Sequence, residues 1–230
     1  MMNITRGIYI QGCARSGNTL IRELCGVAFR DMEMVKLTKD TAECSLAHLA
    51  GLLDQSPGGA KVRVASRNYE NSLAMDRELL RGHPDIKVLW MLRDPRDILT
   101  SIHDNQPDKY YVTPERLIKS LELYGQFKDE PQVLTVRYED LVTHPEVQQA
   151  KISERCGLTP SREFVEAYKY FPKFHENVRA MHSIRPIDTH SLQKWRNNPG
   201  YRDYLKRLLA MHGEIITLAR ECGYEIAGEL

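Results

Sequence analysis

The stretch Arg6-Gly-Ile-Tyr-Ile-Gln-Gly-Cys-Ala-Arg-Ser-Gly-Asn-Thr-Leu-Ile-Arg-Glu-Leu24 limits what this chain can fold into more than any other. Ile8, Tyr9 and Ile10 have strand character, Gly12 and Gly17 bracket a turn, and Leu20, Ile21 and Leu24 follow at helical spacing. A strand that passes through a glycine loop into a helix builds an anion site. The glycines admit close backbone approach, and the unpaired N–H groups of the first helical turn face the ligand along the helix dipole. Such a loop is also a common connection in α/β folds, so the segment points to an α/β chain with or without a phosphate ligand.

Counted by position, Gly12-x-x-x-x-Gly17-Asn18-Thr19 follows the phosphate-loop pattern with one departure. Asn18 stands where a nucleoside-triphosphate loop places the lysine that reaches the β- and γ-phosphates. The positive charge lies instead at Arg15, inside the loop, where it suits a 5′-phosphate and its leaving oxygen better than a triphosphate tail.

The remaining elements follow in order. Segment 31–37 alternates weakly as a strand, Ala42–Leu53 reads as a helix, and Lys61–Ala65 as a second strand, followed by Ser66-Arg67-Asn68 at its carboxyl end. A helix through Leu73–Leu80 precedes Ile86–Leu92, the most apolar strand, as expected of a central parallel strand buried on both faces. Arg93 stands at that strand's carboxyl end. Pro95 opens the next helix, and Ser101 falls about two turns into it, with positions 94, 97 and 101 on one face. A helix from Thr113 to about Phe127, a strand from Gln132 to Arg137, helical segments at Pro145–Cys156 and Pro160–Tyr170, and an amphipathic helix from Tyr204 to Cys222 complete the chain. Residues 171–199, rich in His, Pro and Asn, read as a binding loop or cover.

At 230 residues the chain fits one α/β domain, 1–230, with a nucleotide-binding core at 1–141 and a helical part at 142–230. Charge is balanced, 32 Lys+Arg against 31 Asp+Glu, which excludes a general nucleic-acid or membrane-surface binder while allowing a local basic cleft. Five scattered cysteines without paired spacing indicate a reduced cytoplasmic protein and no metal site. No signal-peptide core or membrane-spanning run is expected.

Three separated pieces together resemble the sulfotransferases that use 3′-phosphoadenosine 5′-phosphosulfate (PAPS). Gly12-Cys-Ala-Arg-Ser-Gly-Asn-Thr19 is similar to that family's 5′-phosphosulfate loop; Arg93 and Ser101 match in identity and spacing the pair that holds the 3′-phosphate; and Val136-Arg-Tyr-Glu-Asp-Leu141 resembles the segment whose tyrosine lies near the adenosine. Ser191-x-x-Lys194-Trp195-Arg196 is similar to the segment that folds over the nucleotide. The resemblance implies a parallel β-sheet flanked by helices, a three-layer sandwich like that of the P-loop nucleotide kinases, with a helical C-terminal segment. It further implies sulfuryl transfer from PAPS to an acceptor hydroxyl or amine, leaving adenosine 3′,5′-bisphosphate and needing no metal. Arg15 then neutralises charge on the bridging oxygen, and Arg15, Ser16, Gly17, Asn18, Thr19, Arg93, Ser101, Tyr138 and Lys194 hold the nucleotide.

The general base is not legible by this route. Small-molecule members carry a His in a Lys-Thr-His segment where this chain has Ser66-Arg67-Asn68, and other members use a Glu past the first helix. Glu33 is the nearest counterpart, with Glu23, Asp40, Glu70 and His103 behind it. The missing Lys-Thr-His pattern leans the acceptor towards a carbohydrate or glycolipid. Two rival readings stand beside this one, a P-loop-like small-molecule kinase and a nucleotide-binding protein without turnover. Structural roles also remain open for Tyr138, as a cap on the sheet edge, and for Arg93 and Arg96, as ion-pair partners of Asp94 and Asp97.

Overall fold

The computed structural model describes residues 5–35, 44–55, 61–66, 75–103, 106–171 and 184–226. Its strands are β1 (Gly7–Gly12), β2 (Met32–Met34), β3 (Val62–Ser66), β4 (Ile86–Leu92), β5 (Ile102–His103), β6 (Gln106–Tyr110) and β7 (Val133–Arg137). The helices are α1 (Asn18–Ala28), α2 (Leu46–Asp54), α3 (Arg77–Gly82), α4 (Pro95–Leu99), α5 (Pro114–Phe127), α6 (Tyr138–Thr143), α7 (Pro145–Cys156), α8 (Pro199–Met211) and α9 (Glu214–Glu221), with a 3-10 helix at Phe164–Tyr170.

Five strands form one sheet in the order β2-β3-β1-β4-β7, every neighbouring pair parallel. Side chains alternate across it with period two, and both sets are apolar. Tyr9, Val88 and Trp90 join α2, α5, α8 and α9 in one core through Leu49, Leu117, Leu205 and Ile215. Ile8, Ile10, Leu89 and Met91 join α1, α7 and the 3-10 helix in the other through Ile21, Ile152 and Phe164. The result is the expected α/β sandwich of three layers. Because β1 has β3 on one side and β4 on the other, strand order reverses between β1 and β4. In open α/β sheets the crevice at the carboxyl ends of such a pair takes the ligand.

Three expectations need correction. The helix expected from Tyr204 to Cys222 is two helices. α8 starts earlier, at Pro199, where the Asn198 side chain accepts from Tyr201 N–H at 3.3 Å, and the chain breaks at His212-Gly213. Glycine is a poor helix former, and the break still leaves Leu205, Leu208, Ile215 and Ala219 in the same core. Second, α4 ends at Leu99, so Ser101 stands beyond the helix. Thr100 Oγ1 donates back to the Arg96 carbonyl at 2.7 Å, and the chain leaves into the β5–β6 antiparallel hairpin, which has no counterpart in the sequence reading. Third, the helical segment expected from Pro160 is a 3-10 helix confined to Phe164–Tyr170. Among the described residues, no helix is long and apolar enough to cross a membrane.

Candidate active site

The loop between β1 and α1 is shaped by its two glycines. Gly12 has φ +144, and a Cβ there would lie 2.4 Å from the Met91 carbonyl of the adjacent strand. Gly17, at φ +97, caps α1 without a side chain, and a Cβ on it would lie 2.6 Å from the Tyr138 ring. Inside the loop, Ser16 Oγ donates to Cys13 O at 2.6 Å, and Asn18 Nδ2 donates to Cys13 O at 3.0 Å and Gly12 O at 3.3 Å. These side chains satisfy the loop's own carbonyls, and the backbone N–H groups of the first turn of α1 are the donors an anion placed there would meet. Thr19 lies in that turn, partly exposed, and Cys13 is buried in the loop as a space-filling residue.

Arg15, itself at φ +67, reaches from the loop to the root of the β5–β6 hairpin. Its Nε donates to Ser101 Oγ at 3.2 Å, a terminal N–H donates to Ile102 O at 2.7 Å, and the guanidinium lies 4.7 Å above the Tyr111 ring. His103 stacks on the same Tyr111, ring centroids 5.0 Å apart.

Arg93, at the carboxyl end of β4, completes the crevice. Its terminal nitrogens donate to Arg15 O at 3.0 Å and Ser191 O at 2.6 Å, its guanidinium lies 4.3 Å over the Tyr138 ring, and its buried Nε has no hydrogen-bond partner among the described residues. A guanidinium has five N–H groups, so Arg93 retains donors for an anion. A buried, unsatisfied donor beside a helix N-terminus is an environment that fits phosphate. Residues predicted from opposite ends of a nucleotide are thus brought into one continuous set, with Arg15 touching both Ser101 and, through its carbonyl, Arg93.

Residues 53–162 match the sulfotransferase family. None of the curated proteins matches the sequence. Among solved structures, the sulfotransferase domain from the Synechococcus PCC 7002 olefin synthase is similar over 97% of both chains, at 18% identity and a TM-score of 0.63. The sulfotransferase domain from the curacin biosynthetic pathway gives 14% identity and 0.59, over 97% of this chain and 99% of its own. The family match over residues 53–162 and the fold of these two domains agree. A retinol dehydratase in complex with androsterone and inactive cofactor PAP has the same fold at 15% identity and a TM-score of 0.51, over 96% of this chain and 83% of that one.

The wall behind Arg93 is a second network. Asp94 accepts a bidentate pair from Arg96 at 3.0 and 2.8 Å, and Glu139 accepts from Asp94 N–H at 2.8 Å and from the Tyr224 hydroxyl at 2.9 Å. Burial, and secondarily the Glu139 charge, push the Tyr224 phenol up, so it stays a donor. Arg96 also lies 4.3 Å over the Trp195 ring, whose residue is fully buried. The Arg96–Asp94 pair is therefore buried structure. Asp97 differs: burial raises its carboxyl to about 6, against the lowering effect of Arg93 at 3.9 Å and of the Gln193 N–H.

The other predicted residues divide. Tyr138 packs its ring between Gly17 and Arg93, and its hydroxyl shares a 2.6 Å hydrogen bond with Ser191 Oγ. Lys194 is exposed on the turn that carries Ser191. Glu33 is not brought to the site. It pairs with Arg63, which is level with Gly7, so it lies two strands over and roughly 16 Å along the sheet from Gly12 at strand rise. β2 runs parallel to β1 and carries Glu33 at the opposite end from the loop. Glu23 is buried against Arg22 at 2.7 Å, and Arg22 reaches Ser66 Oγ at 3.2 Å. Asp40, Arg67, Asn68 and Glu70 lie outside the described residues, as do His175 and His182 and residues 172–183 of the expected cover. Sequence reasoning missed Tyr111, whose place under Arg15 depends on the hairpin, and Ser191 as a partner of Arg93. Asp97 was anticipated as an ion-pair partner of the arginines and by the shared face of positions 94, 97 and 101, and it lies 3.9 Å from Arg93.

Proposed function

We propose that this chain is a sulfotransferase that moves the sulfuryl group of PAPS to an acceptor hydroxyl or amine, and that residues 1–141 carry the nucleotide while 142–230 supply the helices and turn that cover it. The reading rests on one observation: Arg15, Ser101 and Arg93 converge beside the N-terminus of α1, at the strand-order reversal. When bound, the phosphosulfate supplies an activated sulfur–oxygen bond that breaks as the acceptor's oxygen or nitrogen bonds to sulfur. Backbone N–H groups of residues 16 to 19 bind the 5′-phosphate, Arg15 offsets charge on the departing oxygen, and Arg93 with Ser101 reads the 3′-phosphate. Asn18 in place of a lysine and the Arg93/Ser101 pair favour this donor over ATP.

His103 is the candidate base that the fold carries to Arg15, because it stacks on the tyrosine beneath that guanidinium. We assign it removal of the acceptor proton. His103→Gln is expected to lower kcat about 100-fold at saturating acceptor; a kcat within about threefold of the parent would remove the assignment. The missing Lys-Thr-His pattern supports a carbohydrate or glycolipid acceptor. Cys25, Cys44, Cys156 and Cys222, free and buried, accord with a cytoplasmic setting.

The donor is tested by thermal shift without magnesium, comparing adenosine 3′,5′-bisphosphate with ADP and ATP. At a hundredfold excess over its dissociation constant the bisphosphate should stabilise by ~2.7 kcal/mol. That corresponds to a melting point higher by roughly 5–10 °C. A shift only with ATP and magnesium would replace this reading with the kinase; binding without product from any acceptor in a broad panel would leave a nucleotide-binding protein without turnover.

A further inference from the structure

The turn that carries Ser191 is tied to the Arg93 wall from three elements. Arg93, at the end of β4, donates to Ser191 O at 2.6 Å; Tyr138, on α6, meets Ser191 Oγ at 2.6 Å; and Asp97, on α4, accepts the Gln193 backbone N–H on Oδ2 at 2.9 Å. The third tie is different in kind. Gln193 has φ +53, a left-handed conformation unfavourable for a residue with a Cβ, so something must hold it there. Asp97 is 4% exposed and its Oδ1 has no hydrogen-bond partner among the described residues, which give this interior carboxylate one backbone donor and a guanidinium 3.9 Å away. A buried carboxylate so sparsely satisfied is a cost that packing alone would remove.

We infer that Asp97 is a positioning residue of the nucleotide site, which pins the turn at Gln193 and thereby holds Ser191 against Arg93. The inference rests on the assignment of Arg93 to the 3′-phosphate. Its physical content is that the hydrogen bond to the backbone matters, and the negative charge does not. The charge, standing beside Arg93, opposes an incoming phosphate, whereas the bond fixes the donor geometry around it.

Two variants separate these contributions. Asp97→Asn keeps an acceptor for Gln193 N–H and discards the charge; Asp97→Ala discards both. For adenosine 3′,5′-bisphosphate, Asp97→Ala should weaken binding about tenfold and Asp97→Asn should stay within about twofold of the parent, while ADP, which has no 3′-phosphate, should change little for either. Lys194 and Arg196 are exposed on the turn, so limited trypsin digestion read by mass spectrometry reports directly whether it has come loose. Faster cleavage after these residues in Asp97→Ala, but not in Asp97→Asn, is the expected pattern. An unchanged bisphosphate affinity in Asp97→Ala, or equal weakening in both variants, would overturn the inference. If the parent itself fails to prefer the bisphosphate to ADP, the donor assignment fails, and the inference falls with it; the digestion pattern would then show separately whether Asp97 ties the turn.

Discussion

Arg15→Ala is expected to lower kcat for sulfuryl transfer by about two to three orders of magnitude, the loss that follows removal of one preorganised donor to developing charge. Preorganisation is visible in the structure. The guanidinium is held by Ser101 Oγ, by Ile102 O and by the face of Tyr111, so little reorganisation is needed when the leaving oxygen gains charge. Arg15 is half-buried, and an alanine tolerates φ +67 no worse than an arginine does, so the melting temperature should move little. Arg15→Lys should recover only part of the rate, because a lysine keeps the charge but cannot reproduce a guanidinium shared between two oxygens and an aromatic face. A kcat within tenfold of the parent for Arg15→Ala would remove Arg15 from the chemistry.

Arg93→Ala should abolish the preference for adenosine 3′,5′-bisphosphate over ADP. A hydrogen bond to a charged group contributes ~1.5–3 kcal/mol, so the bisphosphate should weaken roughly 10- to 150-fold while ADP is little affected. The same substitution has a signature in stability. The Asp97 carboxyl titrates at about 6 in the folded chain, raised chiefly by burial, against ~3.9 when unfolded. Its folded state therefore holds the proton more tightly. The contribution to stability is complete below about pH 4 and is lost as pH rises through 6, where the ionised carboxylate depends on Arg93 and the Gln193 N–H, with Asp94 and Glu139 adding to the repulsion. Removing Arg93 pushes that carboxyl further up. The loss in melting temperature should accordingly be larger at pH 8 than at pH 5, and an equal loss at both would show that Asp97 does not depend on Arg93.

The local signals were the ones that could be read from the chain. Gly12 and Gly17 take conformations that only glycine adopts readily, in a loop whose ends are five residues apart, so strand, loop and helix were legible together. Arg93 was legible because the most apolar strand ends there and Pro95 starts a helix. Ser101 was identified by its spacing from Arg93, yet for a geometric reason that does not hold: it lies past the end of α4, and the hairpin, more than the helix, sets it beside Arg15. Similarly, the amphipathic pattern through Leu205, Leu209 and Ile216 is continuous in sequence, while the helix is not, because Gly213 breaks the backbone without moving either apolar face from the core.

By itself, then, the sequence determined the parallel α/β sandwich, the glycine loop between β1 and α1 and the Arg93 position, since each depends on residues within a few places of one another and on apolar periodicity. The tertiary structure alone decided which chemistry-bearing groups share the crevice. Strand direction and register carry Glu33 to the far end of the sheet, the β5–β6 hairpin sets Tyr111 and His103 beside Arg15, and the Ser191 turn closes on Arg93 through Asp97. The bonds of Arg93 to Ser191 and of Gln193 to Asp97 join residues 98 and 96 positions apart, and no local pattern records how a chain will bring such distant segments together.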